Sequence, residues 1–292
     1  MVDQPQVKRY ENAWGAVTEN STTIETRAVV DNPNPIGVPP IVGLSYTIAL
    51  DETTVANEST GGIGFASGTS NVTVETTLDH DRIVEWWVET DRHGRPSTLS
   101  ISPRLEFPLF SQPLPEQTRS FRTSLLPREG LDNDTAAVGD TRIRLSNQSV
   151  QWGDATESET EVRFAMTLSG DRAVTIDHFA FAMRANDVTM GTDRVPGATV
   201  PVADTNRVVV RPSIDTQTVD DWWASHVTNN ETSTVEVALV AVVEVNGRQH
   251  SVVLDSFSKR LTVETDLLGP DATAVTSRPL DDEAALSAVE KE

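Results

Sequence analysis

The 292-residue chain has no cysteine. Disulfides, thiolate nucleophiles and cysteine-based zinc sites are therefore excluded, while the redox compartment stays open. Lysine is nearly missing, with only Lys8, Lys259 and Lys291. Nowhere do 18 apolar residues run together, and the opening MVDQPQVKRYENAW has no apolar stretch, so the sequence predicts neither a membrane span nor a signal peptide. The expected location is the cytoplasm, or the extracellular face of a membrane if an N-terminal anchor precedes this stretch. Catalytic patterns are scarce as well. The five histidines, at 80, 93, 178, 226 and 250, show no HExxH spacing, and the chain has neither a GxSxG elbow nor a Walker lysine loop. No enzyme is expected, and no metal site.

Negative charge, in contrast, is abundant. The formal net charge is −21 and the pI is near 4.5. Phosphate binding relies on clustered Lys and Arg releasing counterions, so nucleic acid and anionic membrane surfaces are poor partners. The near-absence of lysine beside this acidity reads as adaptation to salt. At molar salt the Debye length falls to about 3 Å, which screens self-repulsion that would loosen the fold in dilute buffer. Cations bound at the acidic surface are expected.

The six tryptophans, at 14, 86, 87, 152, 222 and 223, form two matching sets. TSNVTVETTLDHDRIVEWW (69–87) lies over TNRVVVRPSIDTQTVDDWW (205–223), and STLSI (97–101) over STVEV (233–237), at an offset of about 136 residues. Upstream, WGAVTENSTTIETRAVV (14–30) lies over WGDATESETEVRFAMTL (152–168), and LSYTIAL (44–50) over FAFAMRA (179–185). The sequence therefore predicts two diverged copies of one domain, at 5–126 and 141–268, joined by a linker over 127–140 and followed by an acidic, disordered tail over 269–292.

Within each copy the apolar period is mostly two, as in Val162, Phe164, Met166 and Leu168, or Tyr46, Ile48 and Leu50. That is the pattern of strands with one buried face, and the expected fold is mainly β: two tandem antiparallel β-sandwiches, each with one short helix before its last strands. The helices fall at 78–92 and 214–228, with Asp79 and Asp215 as N-caps. Neighbouring helical residues point about 100° apart. One member of each Trp pair is thus expected to anchor the core and the other, Trp87 or Trp223, to sit at the rim, where an exposed Trp could grip a partner or an apolar ligand.

Three further motifs invite a functional reading. DNPNPIGVPPIVG (31–43) holds four prolines, which end strands and cannot sit inside a sheet, so it is expected to form a rigid corner. Asn32, Pro33 and Pro35 on that corner are candidate docking residues. GGIGFASG (61–68) leads into a strand instead of opening a helix, so it reads as a hairpin turn or bulge and not as a phosphate loop. DHD (79–81) sits at a helix start, where acidic side chains complement the dipole. Six Asn-x-Ser/Thr sequons occur, at Asn20, Asn57, Asn71, Asn133, Asn147 and Asn230, and matter only if the chain is exported.

The first strand ending in Trp14-Gly15, the VVDNPNP run (29–35), a Gly-containing turn, then a strand, one helix and two closing strands resemble the water-stress and hypersensitive-response domain of the LEA type 2 family, in the tandem form found in salt-loving archaea. Copy two departs from it, with SGDRA (169–173) in place of DNPNP. The resemblance implies fibronectin type III-like sandwiches, no catalytic residues, no cofactor and an association with desiccation or osmotic stress. The alternative expectation is a binding or scaffold module for a protein partner or a small apolar ligand, as a monomer or weak homo-oligomer.

Overall fold

A computed structural model describes residues 5–89, 96–108, 111–122, 125–127, 131, 133–200, 202, 204–245, 247–269 and 274–290. The chain is mainly β and divides into two compact units. The first comprises Met1–Thr90, Pro96–Arg122 and Thr265–Ala272, and the second Asp91–Arg95, Thr123–Glu264 and Thr273–Glu292.

In the first unit, β1 (Gln6–Val17), β2 (Ser21–Asn32) and β5 (Gly68–Asp79) form one antiparallel sheet in the order β1-β2-β5. The facing sheet contains β4 (Thr53–Phe65), β3 (Val38–Leu50), β6 (Ser97–Glu106) and β7 (Ser111–Pro113), with β8 (Gln117–Phe121) also paired to β6. Helix α1 (His80–Glu89) joins β5 to β6. Alternation drives the layering. Along β2 the residues Thr22, Ile24, Thr26, Ala28 and Val30 are buried and their neighbours face outward.

The second unit repeats this plan. One sheet runs β15 (Asn206–Val210), β11 (Glu159–Gly170), β10 (Thr141–Ala155), β9 (Asp134–Val138), with β16 (Ser213–Asp215) paired to β11. The other runs β13 (Val188–Pro196), β12 (Val174–Ala185), β17 (Thr232–Val245), β19 (Lys259–Glu264), β20 (Ala274–Pro279), with β14 (Thr199–Val200) on β12 and β18 (Arg248–Val253) on β17. Helix α2 (Thr218–Thr228) precedes β17, and α3 (Asp282–Val289) closes the chain. Phe164 of one sheet meets Phe181 and Phe257 at 5.8 and 5.2 Å between ring centroids.

The duplication extends to irregularities. Trp14 pairs with Ile24 before a register shift that leaves Val17 opposite Thr22, and Trp152 pairs with Val162 before the same shift leaves Ala155 opposite Thr160. Asp51 and Asn186 both adopt a φ of 52° at the turn after β3 and β12. Each places its backbone N–H 2.7 Å from the carbonyl of Thr98 or Thr234, while its side-chain oxygen accepts that residue's N–H. Asx side chains that bond locally tolerate this left-handed backbone.

Several expectations need correction. The linker expected over 127–140 contains β9, which pairs with β10 from Thr141–Val138 to Leu145–Asp134. The tail expected to be disordered over 269–292 contains β20, paired along β19, and α3. Its acidity misled, because Asp281 caps α3 by accepting Ala284 N–H at 2.8 Å, and Asp282 and Glu283 lie in the first turn, where they favour the dipole. Leu280, Ala285 and Val289 then pack on Ala180, Ala182, Ala238 and Val240. The prolines expected to stay out of the sheet include Pro39 and Pro40 of β3, where the pairing with β4 skips from Val38 to Val42 and β6 has not yet joined. GGIGFASG carries a bulge between Ile63 and Thr60, as expected, but its turn passes from one sheet to the other and is no hairpin.

Candidate functional site

The helices position the tryptophans. In α1, Ile83, Val84, Trp86 and Trp87 are all buried. At 100° per residue these span about 160° of the helix circumference, so the helix is sunk deep enough for both indoles to enter the core. In α2, Val219, Trp222, Trp223, His226 and Val227 do the same. Trp87 is 3% exposed and Trp223 1%, which overturns the rim reading of both. The two rings of the first pair meet edge to face, with centroids 6.3 Å apart. Asp79 accepts the Asp81 N–H at 3.0 Å and serves as the expected cap of α1. Asp215 does not cap α2, because the cap position falls on Gln217, whose N–H Asp215 accepts at 2.9 Å.

Buried polar groups around the helices are satisfied locally. His80 Nδ1 donates to the Glu19 carbonyl at 3.0 Å, and Nε2 lies 2.8 Å from the Thr22 hydroxyl. In the second unit Thr216 replaces this histidine and bonds Thr160 at 2.9 Å. The Ser233 hydroxyl accepts from Trp222 Nε1 at 2.9 Å and lies 2.8 Å from His226 Nδ1. A serine and a histidine in contact suggest a nucleophile and its base, yet Ser233 is 0% and His226 1% exposed, so no substrate reaches them. Burial lowers the His226 pKa to about 4 and keeps the ring neutral. His178 contacts Asp177 at 2.9 Å on the surface, His250 is exposed on β18, and His93 lies outside the described residues. Among the described residues no group of three or more His, Cys, Asp or Glu side chains could hold a metal.

The Asn-Pro corner is a knot held from inside. Asn32, 1% exposed, donates to the carbonyls of Ile36 at 3.1 Å and Ala66 at 3.2 Å, and its oxygen accepts from both the backbone and the side chain of Asn34. Its polar atoms are thus engaged within the fold, and a docking role for Asn32 is not supported. Pro33 and Pro35 are exposed, next to Ile36 at 77% and in the same motif as Ile41 at 58%. Of the five candidate docking residues, only these two prolines face solvent.

Toward the sandwich end away from Trp86, a gap of about 20 Å³ lies among Ala28, Val30, Val72, Leu44 and Leu105. It has room for about one water and no more. The second unit has Met166 and Leu168 where Ala28 and Val30 stand, and its gap there is about 10 Å³. Neither space accommodates an apolar ligand without opening.

No protein-family model and no curated protein matches the chain. Solved structures do match: a crystal structure of a protein from Archaeoglobus fulgidus (15% identity, TM-score 0.36, covering 47% of this chain and 98% of that one) and a solution structure of a protein from Arabidopsis thaliana (13%, 0.30, 42% and 83%). A crystal structure of red sea bream transglutaminase also matches, at 9% identity and a TM-score of 0.28, over 97% of this chain and 32% of that one. No helix among the described residues is long and apolar enough to cross a membrane.

Proposed function

We propose that the protein is a non-catalytic, salt-adapted tandem member of the LEA type 2 family that contributes to desiccation and osmotic tolerance by holding water and cations at an acidic, hydroxyl-rich surface. The observation that carries this reading is the outward ladder of β2 and β5. Ser21 stands opposite Asp79, Thr23 opposite Thr77, Glu25 opposite Glu75, Arg27 opposite Thr73, Asp31 opposite Thr69, and a single apolar residue, Val29, opposite Asn71. Short hydroxyls and carboxylates keep their hydration shells without long apolar stems, and the ladder contains one cation. Its cost is self-repulsion, since like charges directly opposite destabilise a sheet. Salt screens that repulsion. The test is to dry a labile enzyme beside this protein and beside an unrelated protein of equal net charge. Greater survival of activity with this protein is expected, and equal survival sinks the specific role.

A second reading, a surface-located binding or scaffold module, is favoured by one contrast. All six sequon asparagines are exposed, whereas among the other described asparagines only Asn229 is. Intact mass of the protein from soluble and membrane fractions of its own cells separates the readings. Added glycan mass in the membrane fraction supports the second, and an unmodified soluble form the first.

A further inference from the structure

The outer face of β10, β11 and β15 carries a trough of about 260 Å³ on a chain whose net charge is −21. Its floor is low. Ser149 of β10 and Ala165 of β11 stand opposite each other, with Val209 of β15 beside Ala165 and 40% exposed. Its walls are arginines: Arg163 and Arg211 at one end and Arg207 at the other. Arg207 and Arg211 are four residues apart along an extended strand, about 13 Å of backbone.

One end is preorganised. Glu161 Oε1 accepts from Arg163 Nε and from Arg211 Nη1, the latter at 3.3 Å, and Asp154 accepts from Arg163 Nη2 at 3.3 Å. Gly153 makes this possible, because a Cβ at that position would overlap the Glu161 carboxylate. Among the described residues Arg207, at the other end, has no ion pair, so along the whole trough three guanidiniums face two carboxylates.

The duplicate shows that the fold does not require this arrangement. In the matching register of the first unit, Glu25 stands opposite Glu75 and Asn71 takes the place of Arg207, while Arg27 occupies the place of Ala165. There two carboxylates surround one guanidinium, which Glu25 holds at 2.7 Å. In the second unit two guanidiniums surround one carboxylate. These side chains all point away from the core, so packing does not explain the inversion.

We infer that the trough is a binding site for a small anion bearing two or more carboxylate or phosphoryl groups, one end on the guanidinium N–H groups of Arg163 and Arg211 that Glu161 and Asp154 leave free and the other on Arg207, with its body over Ala165 and Val209. Arginine's planar donors match such oxygens bidentately, which gives them an advantage over chloride that a bare charge lacks. The overall negative charge repels long polyanions, so a compact ligand fits where nucleic acid does not. This inference stands independently of the protective role.

The test is calorimetric titration of the full chain with citrate and with inorganic pyrophosphate, at one ionic strength set by potassium chloride, alongside sedimentation velocity. Saturable one-site binding of at least one probe is expected. It should weaken at least tenfold in Arg207→Gln and in Arg163→Gln, and stay unchanged in Arg27→Gln, the cation on the corresponding face of the first unit. Arg207 is exposed, so its variants fold, and Arg207→Lys should recover only part of the affinity. No saturable binding of either probe, or equal binding by Arg207→Gln, overturns the inference. So does a self-association that Arg207→Gln abolishes without any probe binding, which would assign the face to a second copy of the chain.

Discussion

The Trp86 indole N–H donates to an Asp51 carboxylate oxygen across 3.0 Å, while the other oxygen accepts the Thr98 N–H at 2.8 Å. One side chain thus holds the core anchor of the first unit and closes the turn after β3. Asp51→Ala leaves a buried indole N–H unmatched and places alanine at a left-handed φ, costing about 3 kcal/mol. Asp51→Asn keeps the left-handed turn, as Asn186 does in the second unit, but sets its amide NH2 against the buried indole N–H, so it should cost less than alanine, about 1–2 kcal/mol. Urea unfolding of the two variants checks the ordering, and equal losses would refute it.

Acid should destabilise the second unit through His226. Its pKa falls from an ordinary value near 6.5 in the unfolded chain to about 4 in the fold. The folded state therefore binds the proton more weakly, so stability is complete above pH 6.5 and lost as pH drops toward 4, up to about 3 kcal/mol. His226→Gln should be less stable at neutral pH but show a flatter profile between pH 6.5 and 4. Thermal unfolding across that range measures it.

Glu25 and Glu75 face each other directly on an outer sheet surface. Glu75→Gln removes the repulsion and should raise the melting temperature in dilute buffer by a few degrees, with little change in molar salt, where charges this exposed are screened. The unaltered protein should itself lose stability on dialysis to low salt. An identical shift at both salt levels would show that charge is not the cause.

Helix α3 seals an apolar sheet face through Ala285, which is fully buried against Ala182 and Ala238. Ala285→Asp places an uncompensated charge there and should undock the helix instead of unfolding the sandwich. Limited proteolysis with mass detection should then release fragments from 274–290, which the unaltered protein retains.

Period-two alternation, the Trp register and the break in period before STLSI were enough to read two sandwiches and two helices, because each reports a buried face directly. The depth of the helices was not legible, since burial of adjacent tryptophans depends on how far a helix sinks, and no local spacing encodes that. The ordered C-terminus is legible in the sequence through a different signal. β12 and β17 contain FAFAM and VALVAVV, continuous apolar runs that require cover on both faces, where the first unit has Ser45, Thr47, Ser102 and Arg104 at the matching outward positions. The sequence also contains Asp281 as a cap, with Leu280 before it and Ala285 inside the helix as a staple. The arginine trough was hidden by the net charge, because summing over the chain erases a local inversion that only strand register reveals.

The first unit takes in Thr265–Ala272, and the second is finished by Thr273–Glu292. Both segments follow β1 to β19 in the chain, so the first unit has all its strands by Phe121 yet gains 265–272 only after most of the second unit is made, and the second waits for β20 and α3. Domains contained within one continuous stretch of chain can fold in turn as they appear. The two copies here depart from that order, because one late stretch serves both, and a cut before Thr265 should strip a segment from the first unit and β20 and α3 from the second.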